Sequence, residues 1–258
     1  MEILPLLMVI LFVALGTCDE SSRHKAKLNY HYPVTVNPTE KFVFQQLSKF
    51  QNVLESKKRT YDGHIGFFPN EILDYVGFAS HFTVKNVVEV GFNAGHSSIV
   101  ILASNQNLFL NSFTLQAVKE GVDFVLETYP GRFNITMGRS EETLKKWLPT
   151  VAAGYIDLMI IDGNHDYPAP REDFLLLLTR ARVGTRYIFD GATKDCDDVV
   201  HAGWAVETKR GAASNPALKG QDEVSVGHRA GMTPNDIGTH GTVTSWCMGV
   251  IVKVPSKI

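Results

Sequence analysis

From Val87 to Phe189 the chain alternates short apolar runs with stretches of helical periodicity, and this cadence constrains the fold more than any other feature. The runs are Val87–Val90, Leu108–Leu115, Phe133–Met137, Tyr155–Ile161 and Tyr187–Phe189. Between them, helical spacing covers Ser97–Ala103, Ala117–Thr128, Glu141–Leu148 and Arg171–Ala181, and a further helix is expected over Asp197–Trp204. Strand, helix, strand in this order implies βαβ units, hence parallel pairing with right-handed crossovers. The predicted class is α/β, with a doubly wound, mostly parallel sheet and helices on both faces. Pro170 before Arg171-Glu172-Asp173 suits a helix start, with acids in the first turn where the dipole favours them.

Outside this region the pattern is looser. Thr39–Glu55 and Asn70–Phe82 read as two helices, with Phe67, Phe68, Tyr75 and Phe78 as core residues. Val243–Val254 reads as a final strand. Lys209–Gly241, rich in Gly, Ala, Ser and Asn, reads as a long loop that is either functional or mobile.

A chain of 258 residues can bury one substantial core. The formal charge of −2, with no Lys/Arg-rich run, gives no reason to expect nucleic acid or an anionic membrane surface as partner. Ile3–Leu15 is an unbroken apolar run followed by Gly16-Thr17-Cys18-Asp19. It is shorter than the roughly 20 residues of a membrane-spanning helix, so no stable membrane insertion is expected. It suits a signal-peptide core, with small residues for cleavage after Cys18. The expected organisation is a signal peptide over 1–18, an N-terminal extension and helical cap over 19–82, and the α/β domain over 83–258. The expected location is the secretory pathway, lumenal or secreted. There Cys196 and Cys247 can pair or stay apart. Asn134-Ile135-Thr136 is a glycosylation sequon within an expected strand.

The segment Val87-Val88-Glu89-Val90-Gly91-Phe92-Asn93-Ala94-Gly95-His96-Ser97-Ser98 reads as a strand, a tight glycine loop and a helix start. Gly91 permits a turn that a Cβ obstructs, and Gly95 lets the next helix come close. The helix beginning near His96 presents free N–H groups to a ligand. A dinucleotide fingerprint is G-x-G-x-x-G, whereas here the spacing is Glu89-x-Gly91-x-x-x-Gly95 with Asn93 in place of the second glycine. That disfavours a pyrophosphate.

This E-x-G-x-x-x-G pattern resembles motif I of the class I S-adenosylmethionine (SAM)-dependent methyltransferases. Three further segments, in order, are similar to that family. Tyr129-Pro130-Gly131-Arg132-Phe133 and Gly138-Arg139-Ser140-Glu141-Glu142-Thr143 resemble its third strand and adenine-contacting turn. Asp157–Tyr167, which includes Asp162-Gly163-Asn164-His165, resembles the fourth-strand motif of the small-molecule O-methyltransferase branch. Tyr187-Ile188-Phe189-Asp190 resembles the fifth strand. The resemblance implies a seven-stranded, Rossmann-like sheet and SAM as cofactor. It places Glu89, Gly91, Asn93, Gly95, His96, Ser97, Thr114 and Ser140 around that cofactor. Thr114 stands where the family carries an acid for the ribose hydroxyls, and Arg139 where it often has Asp beside the adenine.

The resemblance also implies catalytic roles for Asp162 and His165, with His165 as a candidate general base. Asp162 and Asp190 end two neighbouring strands, and the family's metal-dependent members hold Mg²⁺ at such a pair; here Gly191 follows where they carry Asp or Asn. A turn held by Asx-type hydrogen bonds is the structural alternative for His165 and Asp166. The expected function is SAM-dependent O-methylation of a small hydroxylated acceptor, Mg²⁺-assisted or not. An alternative is a catalytically inactive, secreted binding or structural protein of the same fold. A remote alternative is a metallophosphoesterase, from Gly163-Asn164-His165-Asp166 with Asp62-Gly63-His64. The segment before Asp62 is no strand, and the bridging and closing metal motifs are missing.

Overall fold

Asn37 opens the first helix by a reciprocal cap. Its side chain accepts from the Glu40 N–H at 3.0 Å, and its own N–H donates to the Glu40 carboxylate at 2.7 Å. With Pro38 in the first turn, this fixes the start of α1 (Pro38–Ser56), which buries Val43, Phe44, Leu47, Phe50 and Leu54 along one stripe. The structure is a computed structural model and describes residues 37–57, 65, 68–214 and 243–254. The expected signal segment 1–18, the lead-in to Asn37, Asp62-Gly63-His64 and residues 215–242 lie outside the described residues.

The elements then follow as α2 (Pro69–Ala79), β1 (Asn86–Val90), α3 (His96–Ser104), β2 (Phe109–Thr114), α4 (Lys119–Thr128), β3 (Phe133–Met137) and α5 (Ser140–Trp147). After them come β4 (Leu158–Ile161), α6 (Ala169–Leu178), β5 (Arg186–Asp190), α7 (Thr193–His201), β6 (Ala205–Ser214) and β7 (Val243–Ile251). The strands form one seven-stranded sheet in the order β3-β2-β1-β4-β5-β7-β6. β1 to β5 pair in parallel, while β7 is antiparallel to both β5 and β6.

Strand alternation sorts the core into two layers. Val87, Leu110, Leu158, Ile160, Ile188 and Trp246 face α1 to α4. Val88, Val90, Phe113, Met159, Ile161 and Phe189 face α5 to α7. Thus α1 and α2 share a core with α3, α4 and the sheet, and Phe68 and Tyr75 are buried in it. α3 is buried at every position, which is why its sequence lacks a polar face. Cys196 on α7 and Cys247 on β7 are disulfide-bonded, with Cα atoms 6.4 Å apart. Asn134 is exposed on β3, an edge strand. Among the described residues no helix is long and apolar enough to cross a membrane.

One expectation is corrected. The segment from Lys209 does not begin as a loop, because Lys209 to Ser214 complete β6. The strand lacks alternation for physical reasons. Gly211 leaves room for the Trp246 ring, which a Cβ would approach to 2.3 Å. Lys209 pairs with Asp74, and Arg210 with Asp197 and Glu207, so their charges are held rather than solvated.

Candidate functional site

The sheet order reverses between β1 and β4, and the crevice beyond their carboxyl ends is where a ligand binds in an open parallel sheet. Val90 is in register with Ile161, and Ile161 with Phe189, so Gly91, Asp162 and Asp190 leave three adjacent strands at one level. Gly91 donates its N–H to Phe113 O at 2.8 Å, and Asp162 donates to Val90 O at 2.8 Å. The glycines are required here by contact as well as by conformation. At Gly91, with φ 102°, a Cβ would sit 2.0 Å from the Asp162 carbonyl oxygen. At Gly95, with φ 99°, it would sit 2.6 Å from the Phe92 ring. Gly121, which the sequence reading passed over, presses the first turn of α4 against the loop: a Cβ would stand 1.9 Å from Ala94 O.

Glu89 is fully buried, and its carboxylate accepts from three hydroxyls, Ser97 and Ser98 at 2.6 Å and Ser112 at 2.7 Å. Burial pushes its pKa up, and the three bonds oppose that shift. One side chain therefore ties β1, β2 and the first turn of α3 together and fixes the loop from behind. The Ser97 hydroxyl is turned to Glu89. The His96 ring is buried against α1, 3.3 Å from Gln51 Oε1 and edge-on to Phe50 with ring centres 4.8 Å apart. What His96 and Ser97 offer a ligand is their main-chain N–H groups at the helix start.

Asn93 is exposed and takes a left-handed φ of 47°, while its carbonyl accepts from Val118 N at 2.9 Å. Thr114 is buried at the end of β2, and its hydroxyl donates to Gln116 O at 2.7 Å, so its Oγ1 lone pairs remain to accept. Ser140 opens α5 near Asp173 of α6, whose carboxyl burial pushes up to about 6. Arg139 is exposed and pairs with Glu141 at 2.5 Å. A left-handed glycine turn, the start of α3 and an acceptor at the end of β2 together fit an adenosine cofactor bearing an α-amino acid.

Asp162 is partly buried, with His165 Nε2 3.1 Å from its Oδ1. Burial, followed by the nearby Asp190, pushes the Asp162 carboxyl up to about 7. The hydrogen bond to Asp162 raises the His165 pKa against its own desolvation. The imidazole lies over Gly191, where a Cβ would come within 2.4 Å of Nδ1. With Nε2–H donated to the carboxylate, Nδ1 is the basic nitrogen.

Asp190 meets a residue that sequence reasoning missed. Glu71 on α2 is fully buried beside Asp190, and burial, followed by the Asp190 charge, pushes its carboxyl well above the usual carboxylate range. Tyr75, one turn on, is equally buried and lies near Asp190, Glu71 and Asp162. The available signal was an acid inside the apolar stripe Ile72, Tyr75, Val76, Ala79. Among the described residues the one set of three or more ligand atoms within 4.8 Å of one another is Cys196, Glu207 and Cys247, which includes the disulfide.

Residues 88–191 match the sequence model of a family described as a methyltransferase domain. No curated protein sequence matches the chain significantly. An O-methyltransferase from Bacillus cereus in complex with S-adenosylhomocysteine (SAH) aligns with 84% of this chain and 92% of that one, at 14% identity and a TM-score of 0.51. The O-methyltransferase TomG from Streptomyces achromogenes, involved in tomaymycin synthesis and solved with SAM, aligns with 81% of this chain and 90% of that one, at 13% identity and a TM-score of 0.53. At these identities the two structures establish the shared fold. The matched segment runs from β1 to the residue after β5, through the glycine loop and the Asp162 turn, and the fold is the one these two O-methyltransferases share.

Proposed function

We propose that the protein transfers the methyl group of SAM to a hydroxyl of a small acceptor, in the secretory pathway. The observation that carries this reading is the placement of the Asp162–His165 pair directly against the glycine loop, with the Asp162 carbonyl in contact with Gly91. SAM, when bound, supplies an electrophilic methyl on a sulfonium that becomes a neutral thioether. The chain's own contribution is positional and acid–base. Glu89 holds the loop, and the first N–H groups of α3 and the Thr114 oxygen hold the two ends of the cofactor. His165 Nδ1 accepts the acceptor's hydroxyl proton while Asp162 accepts from Nε2–H and stabilises the imidazolium. The lumenal location is supported by the apolar Ile3–Leu15 run and by the Cys196–Cys247 disulfide, since such bonds persist in oxidising compartments. N-terminal sequencing of chain recovered from a secreting host is expected to begin at Asp19; a sequence beginning at Met1 refutes the signal peptide.

Calorimetric titration of the mature chain with SAH tests the cofactor assignment. Binding is expected in the micromolar range, and no heat at millimolar ligand overturns the reading. The same titration with Thr114→Asp reads the ribose contact. A carboxylate at that place forms charge-assisted bonds roughly twice as strong as a hydroxyl's, so affinity is expected to rise about tenfold. Unchanged affinity places the ribose elsewhere.

A further inference from the structure

The two edges of the sheet are guarded differently. β6 carries Glu207, Lys209 and Arg210, with a register shift between Glu207 and Lys209. Charges and irregularities of this kind keep a further strand from adding to an edge. β3 pairs with β2 alone, in unbroken register from Phe133 to Met137, and contains no charged residue and no proline. Leu110 N donates to Arg132 O at 2.9 Å, and Gly138 N donates to Thr114 O at 2.9 Å, so Arg132 and Gly138 turn their main chain inward. By alternation Asn134 and Thr136 do the same, and Phe133, Ile135 and Met137 present their N–H and C=O groups outward. The Met137 side chain beside them is 54% exposed. Apart from its five-residue length, the strand itself has none of the protections that β6 carries.

Asn134 lies within this edge. Phe133 packs into the layer of α1 to α4, so by alternation Asn134 and Thr136 project from the opposite face. Asn134 is in register with Asn111, which is buried 3.5 Å from the Tyr155 hydroxyl; one strand further out, Asn134 is exposed. It opens the sequon Asn134-Ile135-Thr136. The chain's other Asn-x-Thr spacing, Asn37-Pro38-Thr39, has proline in the middle, which bars transfer, and its Asn37 side chain caps α1. Resting on the secretory location proposed above, we propose that Asn134 is an N-glycan acceptor whose glycan covers the β3 edge. Transfer forms a bond from Asn134 Nδ2 to C1 of the first sugar of a lipid-linked pyrophosphate oligosaccharide. The C1–O bond breaks, the lipid pyrophosphate leaves with the electron pair, and an Nδ2 proton passes to a base of the transferase. The transferase meets the chain while it is still extended, so a place in a strand is no obstacle. What the folded protein must supply is an outward side chain, and Asn134 has one. The crevice stays open, since Asn134 stands three residues before Met137 at the carboxyl end of β3, about 10 Å along the strand. A bulky, hydrated glycan there excludes a second strand, the task that charge performs on β6.

The test is expression of the full chain in a secreting eukaryotic host, beside a second sample in which a heterologous cleavable leader replaces residues 1–18. Intact mass is read on both before and after digestion with peptide N-glycosidase F. Each is expected to lose the mass of one N-glycan, and peptide mapping is expected to find an aspartate side chain, the product of enzymatic release, at position 134. Thr136→Ser is expected to keep the glycan, whereas Asn134→Gln and Thr136→Ala lose it. Secreted chain whose mass the enzyme does not change overturns the inference. Chain that stays in the cytosol behind its own leader, but gains the glycan behind the replacement, refutes the signal peptide and leaves the acceptor site standing. Light scattering on heating reads the covering of the edge. Glycosylated wild type and Asn134→Gln are expected to bind SAH equally and to melt within a few degrees of each other, while Asn134→Gln aggregates severalfold faster. Asn134→Lys, which puts a charge on the strand instead, is expected to bring the rate back toward that of the glycosylated protein. Equal aggregation rates for glycosylated wild type and Asn134→Gln overturn the covering role.

Discussion

Gly91→Ala is expected to lower the melting temperature by roughly 10 °C or more and to abolish measurable SAH binding. Two costs add at this position. The backbone φ of 102° is one that a residue with a Cβ rarely adopts, at about 1–3 kcal/mol. The new methyl would also lie 2.0 Å from the Asp162 carbonyl oxygen and 2.5 Å from its carbonyl carbon. These are main-chain atoms of the next strand's exit, which cannot rotate away, and overpacking of this kind costs about 1–3 kcal/mol more. A sum on the order of 4 kcal/mol corresponds to roughly 8–16 °C in a chain of this size. Gly131→Ala is the control. Its φ is 73°, yet nothing lies within 4 Å of a Cβ there, so it carries the conformational cost alone. The difference between the two variants in thermal melts isolates the contact between the loop and Asp162. Equal losses in both would show that the β1 and β4 exits are not in contact and would sink the site geometry. The binding loss follows for the same reason: pushing Gly91 away from Asp162 opens the crevice that the loop and β4 share.

How far this site could be read in advance depends on the kind of interaction at each residue. β1, β2, β4 and β5 were legible because each is buried on both faces and therefore written largely in apolar residues, and the edge strand β3 by apolar residues at every second position. The glycine loop was legible because left-handed turns need glycine at fixed spacing. β6 was not, since an edge strand that pairs its Lys and Arg with acids on other elements carries no alternation. Thr114 was identified as standing where an acid was expected, and its buried hydroxyl at the end of β2 is the structural counterpart. His96 and Ser97 were read as cofactor-facing from their place at a helix start, but a helix start has two sides. Their side chains point to α1 and Glu89, and only the backbone faces the crevice. Glu71 was invisible for a related reason. Its partner Asp190 is 119 residues away in sequence, and no periodicity marks an acid that meets another acid only after α2 has packed on the sheet.

Asp162→Asn is expected to reduce turnover by about 10²–10⁴-fold while leaving the SAH dissociation constant within a few-fold of wild type. The substitution keeps a side-chain oxygen that can accept from His165 Nε2–H, so the ring stays in place and the glycine loop, which meets only the Asp162 backbone, is undisturbed. What is lost is the negative charge that raises the imidazole's basicity and stabilises its protonated form. The pH dependence follows with a definite sign. Asp162, pushed up to about 7, and His165, raised by its bond to Asp162, titrate as one pair, and activity requires that the pair give up a proton. Wild-type kcat/KM is therefore expected to fall as pH drops through about 7, and the limb is expected to move downward in the variant. Stability moves the other way. A carboxyl whose folded pKa lies above its ordinary value contributes stability that is complete below the ordinary value and lost as pH rises through about 7. His165, raised in the same sense, adds to this trend. Wild type is thus expected to melt higher at pH 5.5 than at pH 8, and the variant, which cannot ionise at this position, to show a smaller difference and to be no less stable than wild type at pH 8. Reduced turnover with unimpaired or improved stability is the signature of an ionised carboxylate held in a buried place for its chemistry. Unchanged turnover removes Asp162 from the mechanism, and a joint loss of stability and SAH binding assigns it to the fold instead.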